Sequence, residues 1–571
     1  MPGRDLPLHS SGAAEGPSWV LRDNGFVGVF VRVASAGRVT LRVNASGQDD
    51  KAAEPQLRIA IADQQREELV HAQPRAYTWS GQLGPGTYLL RVDYFNHTPG
   101  SSRQLRVQSV SVSGASVLPD ASDRNALDAA NTFIRNYRRF PVRISVAGAA
   151  TGQPVHIRLE RHAFNFGLNI PGINNRMLPD AVAPGSEAAR FQQIVLENFN
   201  TVVLSNGGKW IYHEQEQDQV KLDDVDRFLF FARDNGLRAR MHTLLWDTEQ
   251  QPAWVVSEDK KKPGLLTLAQ RGDELAKAEL EKQISERVQY LVRQRAAAYD
   301  ELDVLNESLH RPRYWQTFGA QGVADIFNEV AAAVQAGGAS AKLFLNEYNL
   351  LQFSADPASK APDPYANWYR WHAEELARAG AKLDGLGVQY YADGRGEPEL
   401  GDNVHSAARI FEVLQNLSGT GLGLTLTEFT VNGREGVTAE RGADILEETL
   451  RLVFGTPAAH SALIWSVWAG ASQIPTPASV LFDQNFELTP AGERYRRLMQ
   501  EWGTDVTVRV PEGGEIELEA FAGDYSLESG GKLGCFGVGH TSGAMRVELG
   551  DPAQVKRVGG RPCLQPRPQF L

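Results

Sequence analysis

Two short apolar runs, each ended by a carboxylate, carry the residues best suited to chemistry: Leu302-Asp303-Val304-Leu305-Asn306-Glu307 and Leu424-Thr425-Leu426-Thr427-Glu428. A run of this length and composition reads as a strand buried on both faces. A glutamate closing such a strand cannot lie in the same apolar layer without a large desolvation cost, so it is expected at the strand's C-terminal end, in a cleft. Two acids set out in this way can face each other across the mouth of a parallel barrel. A facing pair of carboxyls is what cleavage of a glycosidic bond requires. Glu347, at the end of a third run, is the internal rival for a catalytic role.

The elements needed to position such a pair are legible from residue 164 onward, where apolar strands alternate with longer helical segments. That alternation predicts parallel βα units. Strands are expected at 164–169, 201–205, 239–244, 302–306, 342–346, 385–389, 422–427 and 462–467. Helical stretches are expected at 223–235, 275–298, 323–336, 368–379, 406–416 and 442–454, with a closing helix at 491–502. Eight strands with helical crossovers fit a (β/α)8 TIM barrel over residues 161–503, an α/β fold. The long charged helix at 275–298 reads as a solvated face with no chemistry.

Active sites of such barrels are built at the strands' C-terminal ends. Strand 2 leads into Asn206, Lys209 and Trp210, and strand 3 into His242, Trp246 and Asp247. Strand 4 supplies Asn306 and Glu307, strand 5 Asn346, Glu347 and Asn349, and strand 6 Gln389 and Tyr391. Strand 7 supplies Glu428, and strand 8 Trp465 and Trp468. Amides suit sugar hydroxyls and aromatic faces suit sugar C–H faces. Trp465 and Trp468 also read as core packing, and His242 as a hydrogen-bonded core histidine. No cluster has zinc-ligand spacing and no Gly-rich phosphate loop occurs, so neither metal nor cofactor is expected.

Residues 1–15 read as a flexible N-terminus. Residues 16–118 alternate in short runs broken by turns such as Gly84-Pro85-Gly86-Thr87, the pattern of an antiparallel β-sandwich. A connector at 119–160 holds one helix, capped by Ser122 or Asp123 with an apolar stripe through Leu127, Ala130, Phe133, Ile134 and Tyr137, and two strand-like runs. Residues 504–571 return to a small β-rich region, whose Pro-rich tail at 561–568 reads as extended. Cys535 and Cys563 both lie there, either as one local disulfide or as two free thiols.

At 571 residues the chain is too long for one core. A net charge of −11 argues against nucleic acid or an anionic membrane surface as partner and is compatible with a neutral polysaccharide or oligosaccharide. No apolar run reaches the length of a transmembrane helix, so no membrane insertion is expected. The start, Met1-Pro2-Gly3-Arg4-Asp5, is polar and has no apolar h-region, so no signal peptide is visible there. The expected location is secreted, cell-surface or periplasmic, and the oligomeric state is left open.

The barrel resembles glycoside hydrolase family 10, the retaining endo-β-1,4-xylanases. The matching stretches, in order, include Phe164-Asn165-Phe166-Gly167, Asn206 to Lys209-Trp210, His242-Thr243-Leu244-Leu245-Trp246, Pro252-Ala253-Trp254, Asn306-Glu307, Asn346-Glu347-Tyr348-Asn349, Gly387-Val388-Gln389 and Thr427-Glu428. The resemblance implies that Glu307 is the acid/base, Glu428 the nucleophile, and xylan or a related β-glycan the substrate. Three positions depart from the family pattern: Ser205 stands for Glu, Asp247 for His, and Tyr391 for the His after strand 6. Tyr391 can still donate a hydrogen bond to Glu428 and keep it ionised. The departures leave room for the same mechanism on a different β-linked glycan, or for a non-catalytic glycan-binding protein. The N-terminal sandwich resembles carbohydrate-binding modules of the calcium-dependent xylan-binding kind, through Asp93-Tyr94-Phe95-Asn96-His97 and Arg103-Gln104-Leu105-Arg106-Val107. His97 stands where those modules carry Asp.

Overall fold

A computed structural model describes residues 1–50, 53–171, 176–351, 364–393, 405–433, 437–539 and 543–564. Its centre is a closed barrel of eight parallel strands: Asn165–Ile170, Thr201–Leu204, Arg238–Met241, Glu301–Asn306, Lys342–Glu347, Gly385–Asp393, Gly423–Asn432 and Ala459–Ile464. Each pairs in parallel with its neighbours, and the last closes on the first. A short piece, Leu245–Trp246, prolongs the third strand beside the fourth. Strands 6 and 7 run further than their apolar stretches predict, to Asp393 and Asn432, so Gln389, Tyr391 and Glu428 sit within strands. Strand 8 begins three residues earlier than predicted, at Ala459, because Ala459 and the polar Ser461 pair with strand 7 on either side of an irregularity at His460.

The segment at 275–298 is a correction. Helix Glu274–Arg287 gives way to a π turn at Val288–Val292 and a 3₁₀ turn at Arg293–Ala298. One side is solvated, but Arg287 is fully buried. It donates to the carbonyls of Leu244 at 3.0 Å and Thr243 at 3.2 Å, fixing the end of the third strand.

The N-terminal residues pack two antiparallel sheets face to face. One holds Gly25–Val33, Gly86–Tyr94, Gln56–Ile61 and Gln64–Leu69; the other holds Ser18–Leu21, Gln104–Ser113, Gly37–Gln48 and Arg75–Leu83. Strand Gly25–Val33 is apolar on both faces because both are used. Val27, Val29 and Val31 enter the sandwich core, while Phe26 and Phe30 join the barrel's core beside helix Asp123–Tyr137. Ser122 caps that helix through the backbone N–H of Asn125. Residues 1–15 are not loose: Leu6 and Leu8 are buried, and Leu8–His9 adds to the first sheet. Their Gly and Ser content concealed these apolar anchors.

The connector's two strands, Arg139–Val146 and Pro154–His162, complete sheets whose other strands lie after the barrel. Arg139–Val146 pairs with Glu515–Phe521 and Ala544–Val547, and Pro154–His162 pairs with Asp505–Arg509 and Gly523–Ser529. A separate apolar core fills this second sandwich. Cys535 and Cys563 form a disulfide within it. The expected extended tail beyond residue 564 lies outside the described residues. Phe454, fully buried, joins this sandwich to the barrel, with ring centroids 4.9 Å from Phe164, 5.6 Å from Phe166, 4.7 Å from Trp502 and 6.1 Å from Phe521. Phe454→Ala is expected to cost about 3–5 kcal/mol and Phe454→Leu less than half of that, read by denaturant unfolding followed through tryptophan fluorescence.

Candidate active site

Glu307 is the first residue beyond strand 4, and its backbone is left-handed, with φ of 58°. A non-glycine residue pays about 1–3 kcal/mol for such a conformation, which persists only where neighbours fix it. Here the Glu307 N–H donates to the Asn346 carbonyl at 2.7 Å, and the Glu307 carbonyl accepts from the N–H groups of His310 and Arg311. The turn aims the side chain into a cleft of about 310 Å³, within the roughly 300–1,000 Å³ typical of small-molecule sites. Glu428 lines the same cleft. Strand 7 loses its regular pairing with strand 8 between Leu426 and Phe429, an irregularity of the kind that re-aims side chains beside active sites.

The two carboxylates have different surroundings. Glu307 Oε2 accepts from Trp246 Nε1 at 2.7 Å and Oε1 from Gln389 Nε2 at 3.1 Å. Burial, then the negative charges of Glu428 and Glu347, push its pKa up to about 7 against the pull of those two donors. Glu428 Oε2 accepts from the Tyr391 hydroxyl at 2.5 Å, and Oε1 lies 3.5 Å from His242 Nε2. His242 Nδ1 is in turn 3.0 Å from Asp303 Oδ2. Burial and the neighbouring Glu428 hold the Tyr391 phenol well above its ordinary pKa, so it remains a donor. Lys209 stands 5.1 Å from the Trp246 ring and donates to Asn206 Oδ1 at 3.0 Å. Its burial lowers its pKa, while Glu428 and Glu307 oppose that shift.

Beneath the cleft a chain of amides ties the strands together. Thr427 Oγ1 donates to Asn346 Oδ1 at 2.7 Å, and Asn346 Nδ2 donates to Asn306 Oδ1 at 2.9 Å. Asn306 Nδ2 is buried and has no protein acceptor. Glu347, the rival acid, is fully buried and saturated by the N–H of Leu309 at 2.7 Å, His310 Nδ1 at 2.9 Å and the N–H of Tyr348 at 3.0 Å. It holds the loop that follows Glu307 and does not line the cleft.

Of the residues selected from the sequence, Lys209, His242, Glu307, Gln389, Tyr391, Glu428 and Trp465 come together on the cleft wall. Trp246, Asn206, Asn306 and Asn346 reach it through hydrogen bonds to wall residues or to one another. Glu347 and Asn349 do not line it, and three more do not belong there. Trp210 is buried and donates to Glu214 at 2.9 Å. Asp247 is held by Arg313, whose Nε donates at 2.6 Å. Trp468 is buried and stacked on Phe486 at 4.3 Å. Each follows a strand end closely enough to be selected by position, but a hydrogen-bonding, ionic or stacking partner takes it away from the cleft. Gln250, Arg311, Tyr348 and Gln473 also line it. Tyr348 adjoins a strand end; the other three sit in loops, where strand counting gives no signal. Among the described residues no group of three or more His, Cys, Asp or Glu side chains is arranged to hold a metal ion.

Comparison with known proteins places the chain in a family. The chain is 26% identical over 408 residues to the anti-sigma-I factor RsgI6 of Acetivibrio thermocellus, covering 70% of this chain and 46% of that protein. It is 25% identical over 378 residues to endo-1,4-beta-xylanase 1 of Arabidopsis thaliana, covering 66% of this chain and 34% of that one. The chain thus spans less than half the length of either curated relative. Among solved structures, native xylanase 10B from Thermotoga maritima aligns at 20% identity with a TM-score of 0.47, covering 59% of this chain and 95% of that one. A family model described as "Glycosyl hydrolase family 10" matches residues 175–497, more than half of the chain. The chain therefore belongs to glycosyl hydrolase family 10.

Proposed function

We propose that this protein is a retaining glycoside hydrolase that cleaves β-1,4-linked xylan or a related β-glycan outside the cytoplasm. The observation that carries the reading is one cleft holding two carboxyls with opposed surroundings. Glu307, with its pKa near 7, keeps a proton to give to a leaving oxygen. Glu428, beside a phenol donor and facing His242, suits attack as a carboxylate on the anomeric carbon. The carbon–oxygen bond to the leaving sugar breaks as an ester to Glu428 forms. Glu307, now ionised, then takes a proton from the water that cleaves that ester. The change of role follows from charge: esterification removes the Glu428 negative charge that helps to raise Glu307. The open donor on Asn306 suits a sugar hydroxyl, a contact that strengthens in the transition state.

A second reading, glycan capture without turnover, draws on the three departures at Ser205, Asp247 and Tyr391. A reducing-sugar assay of the purified chain across a panel of β-glycans separates the two: turnover supports hydrolysis, and binding without turnover supports capture. For hydrolysis, Glu428→Ala is expected to abolish detectable turnover on every glycan. Glu307→Ala is expected to lose about 10²–10⁴-fold on polysaccharide and far less on aryl glycosides whose leaving group needs no proton. Full polysaccharide activity of Glu428→Ala would refute the assignment.

The pH profile carries a second expectation. The acid works protonated, so kcat/KM should fall as pH rises through about 7. Trp246→Phe removes a donor that stabilises the ionised form, so this alkaline limb should move upward. In Glu428→Gln the like charge is gone, and the Glu307 carboxyl, followed by carbon NMR, should titrate at lower pH than in the parent.

A further inference from the structure

Helix Pro364–Arg378 follows barrel strand 5 and presents three large aromatic rings to solvent: Tyr365 at 36% exposure, Trp368 at 51% and Trp371 at 43%. Its other side is ordinary barrel packing, with Ala366, Tyr369, Ala373 and Leu376 buried. Single exposed apolar residues are commonplace. These are not single. Tyr348, on the wall of the catalytic cleft, lies 4.2 Å from the His310 ring. His310 stacks on Tyr365 at 5.3 Å and 15°, and Tyr365 meets Trp368 edge-on at 5.3 Å. Trp371 stands three residues further along the helix, a rise of about 4.5 Å. Rings in contact thus lead from the cleft wall out to Trp368 on the surface, and Trp371 extends the row along the same helix.

We propose that this row is a docking ridge for the polymeric β-linked glycan, carrying the chain beyond the cleft. The inference rests on the reading of the cleft as a glycan site and adds where the rest of the chain lies. Successive ring faces suit the apolar C–H faces of successive sugars. The overall charge of −11 disfavours a polyanion in that position. A second copy of this chain fits poorly. At these exposures the three rings offer at most roughly 350 Å², against the ~800 Å² that each partner gives to a standard protein interface. The N-terminal sandwich is a weaker candidate for aromatic stacking, since its Trp19 and Trp79 are buried in its own core.

The test uses the full chain. In a Glu428→Ala background, which stops turnover, Trp368→Ala/Trp371→Ala is expected to bind soluble arabinoxylan about fivefold more weakly by affinity electrophoresis. In the active background, the ratio of kcat/KM on arabinoxylan to that on xylotriose should fall by about the same factor. Trp368→Tyr/Trp371→Tyr should recover most of both, which a folding defect would not explain. Unchanged binding and an unchanged ratio would overturn the ridge, as would a Tyr pair as weak as the Ala pair. Self-association of the parent that the Ala pair abolishes would assign the rings to a protein contact and also overturn it. If the parent cleaves no β-glycan, the hydrolytic reading falls by itself, and the binding comparison still decides the ridge.

Discussion

Charge buried inside a closed barrel has to be paired, and the interior of this one is arranged around that requirement. Barrels of this kind are usually filled by branched apolar side chains. Here Arg240 is buried between Glu301 and Asp303, with Glu301 also meeting His460 and Asn165 at 3.1 Å each. Burial alone would favour the protonated form of Glu301. The Arg240 charge and the His460 contact hold Glu301 down at about 2. Asp303 uses its second oxygen on His242, and His242 faces Glu428. A buried ionic chain therefore runs from the strands' beginnings to the cleft. Removing one partner of such a chain leaves an unpaired buried charge, which costs more than the pair contributes.

The cleft separates two similar side chains by environment. Glu307 sits in a turn fixed by three backbone hydrogen bonds, close to two other carboxylates. Glu347 has the same strand-end position but every acceptor filled, so it shapes the loop and stays out of the chemistry. Tyr391 and Gln389 are two residues apart on one strand and point the same way, one to each carboxylate.

Much of this could be read from the residues alone, because the barrel's strands are near-continuous apolar runs and their ends are conspicuous. The seven cleft-wall residues were selected for that reason. What escaped depended on partners far away in sequence. Trp210, Asp247 and Trp468 look like site residues until Glu214, Arg313 and Phe486 are seen beside them. Arg287 looks like part of a solvated face until the third strand's carbonyls are seen beneath it. The connector's two strand-like runs were legible but their partners were not, because nothing local signals pairing with residues more than three hundred positions later.

That last pairing has a consequence for how the molecule is made. Pro154–His162 enters the barrel and Asp505–Arg509 leaves it, and the two lie side by side in one sheet. Topologically the barrel is an insertion within the smaller sandwich. On the ribosome, the first of these strands must wait for the whole barrel to emerge before its neighbour exists. Closing so long a loop is inexpensive only if the intervening chain has already collapsed and brought its ends together. The sandwich can therefore be completed only once the barrel's whole chain has been made.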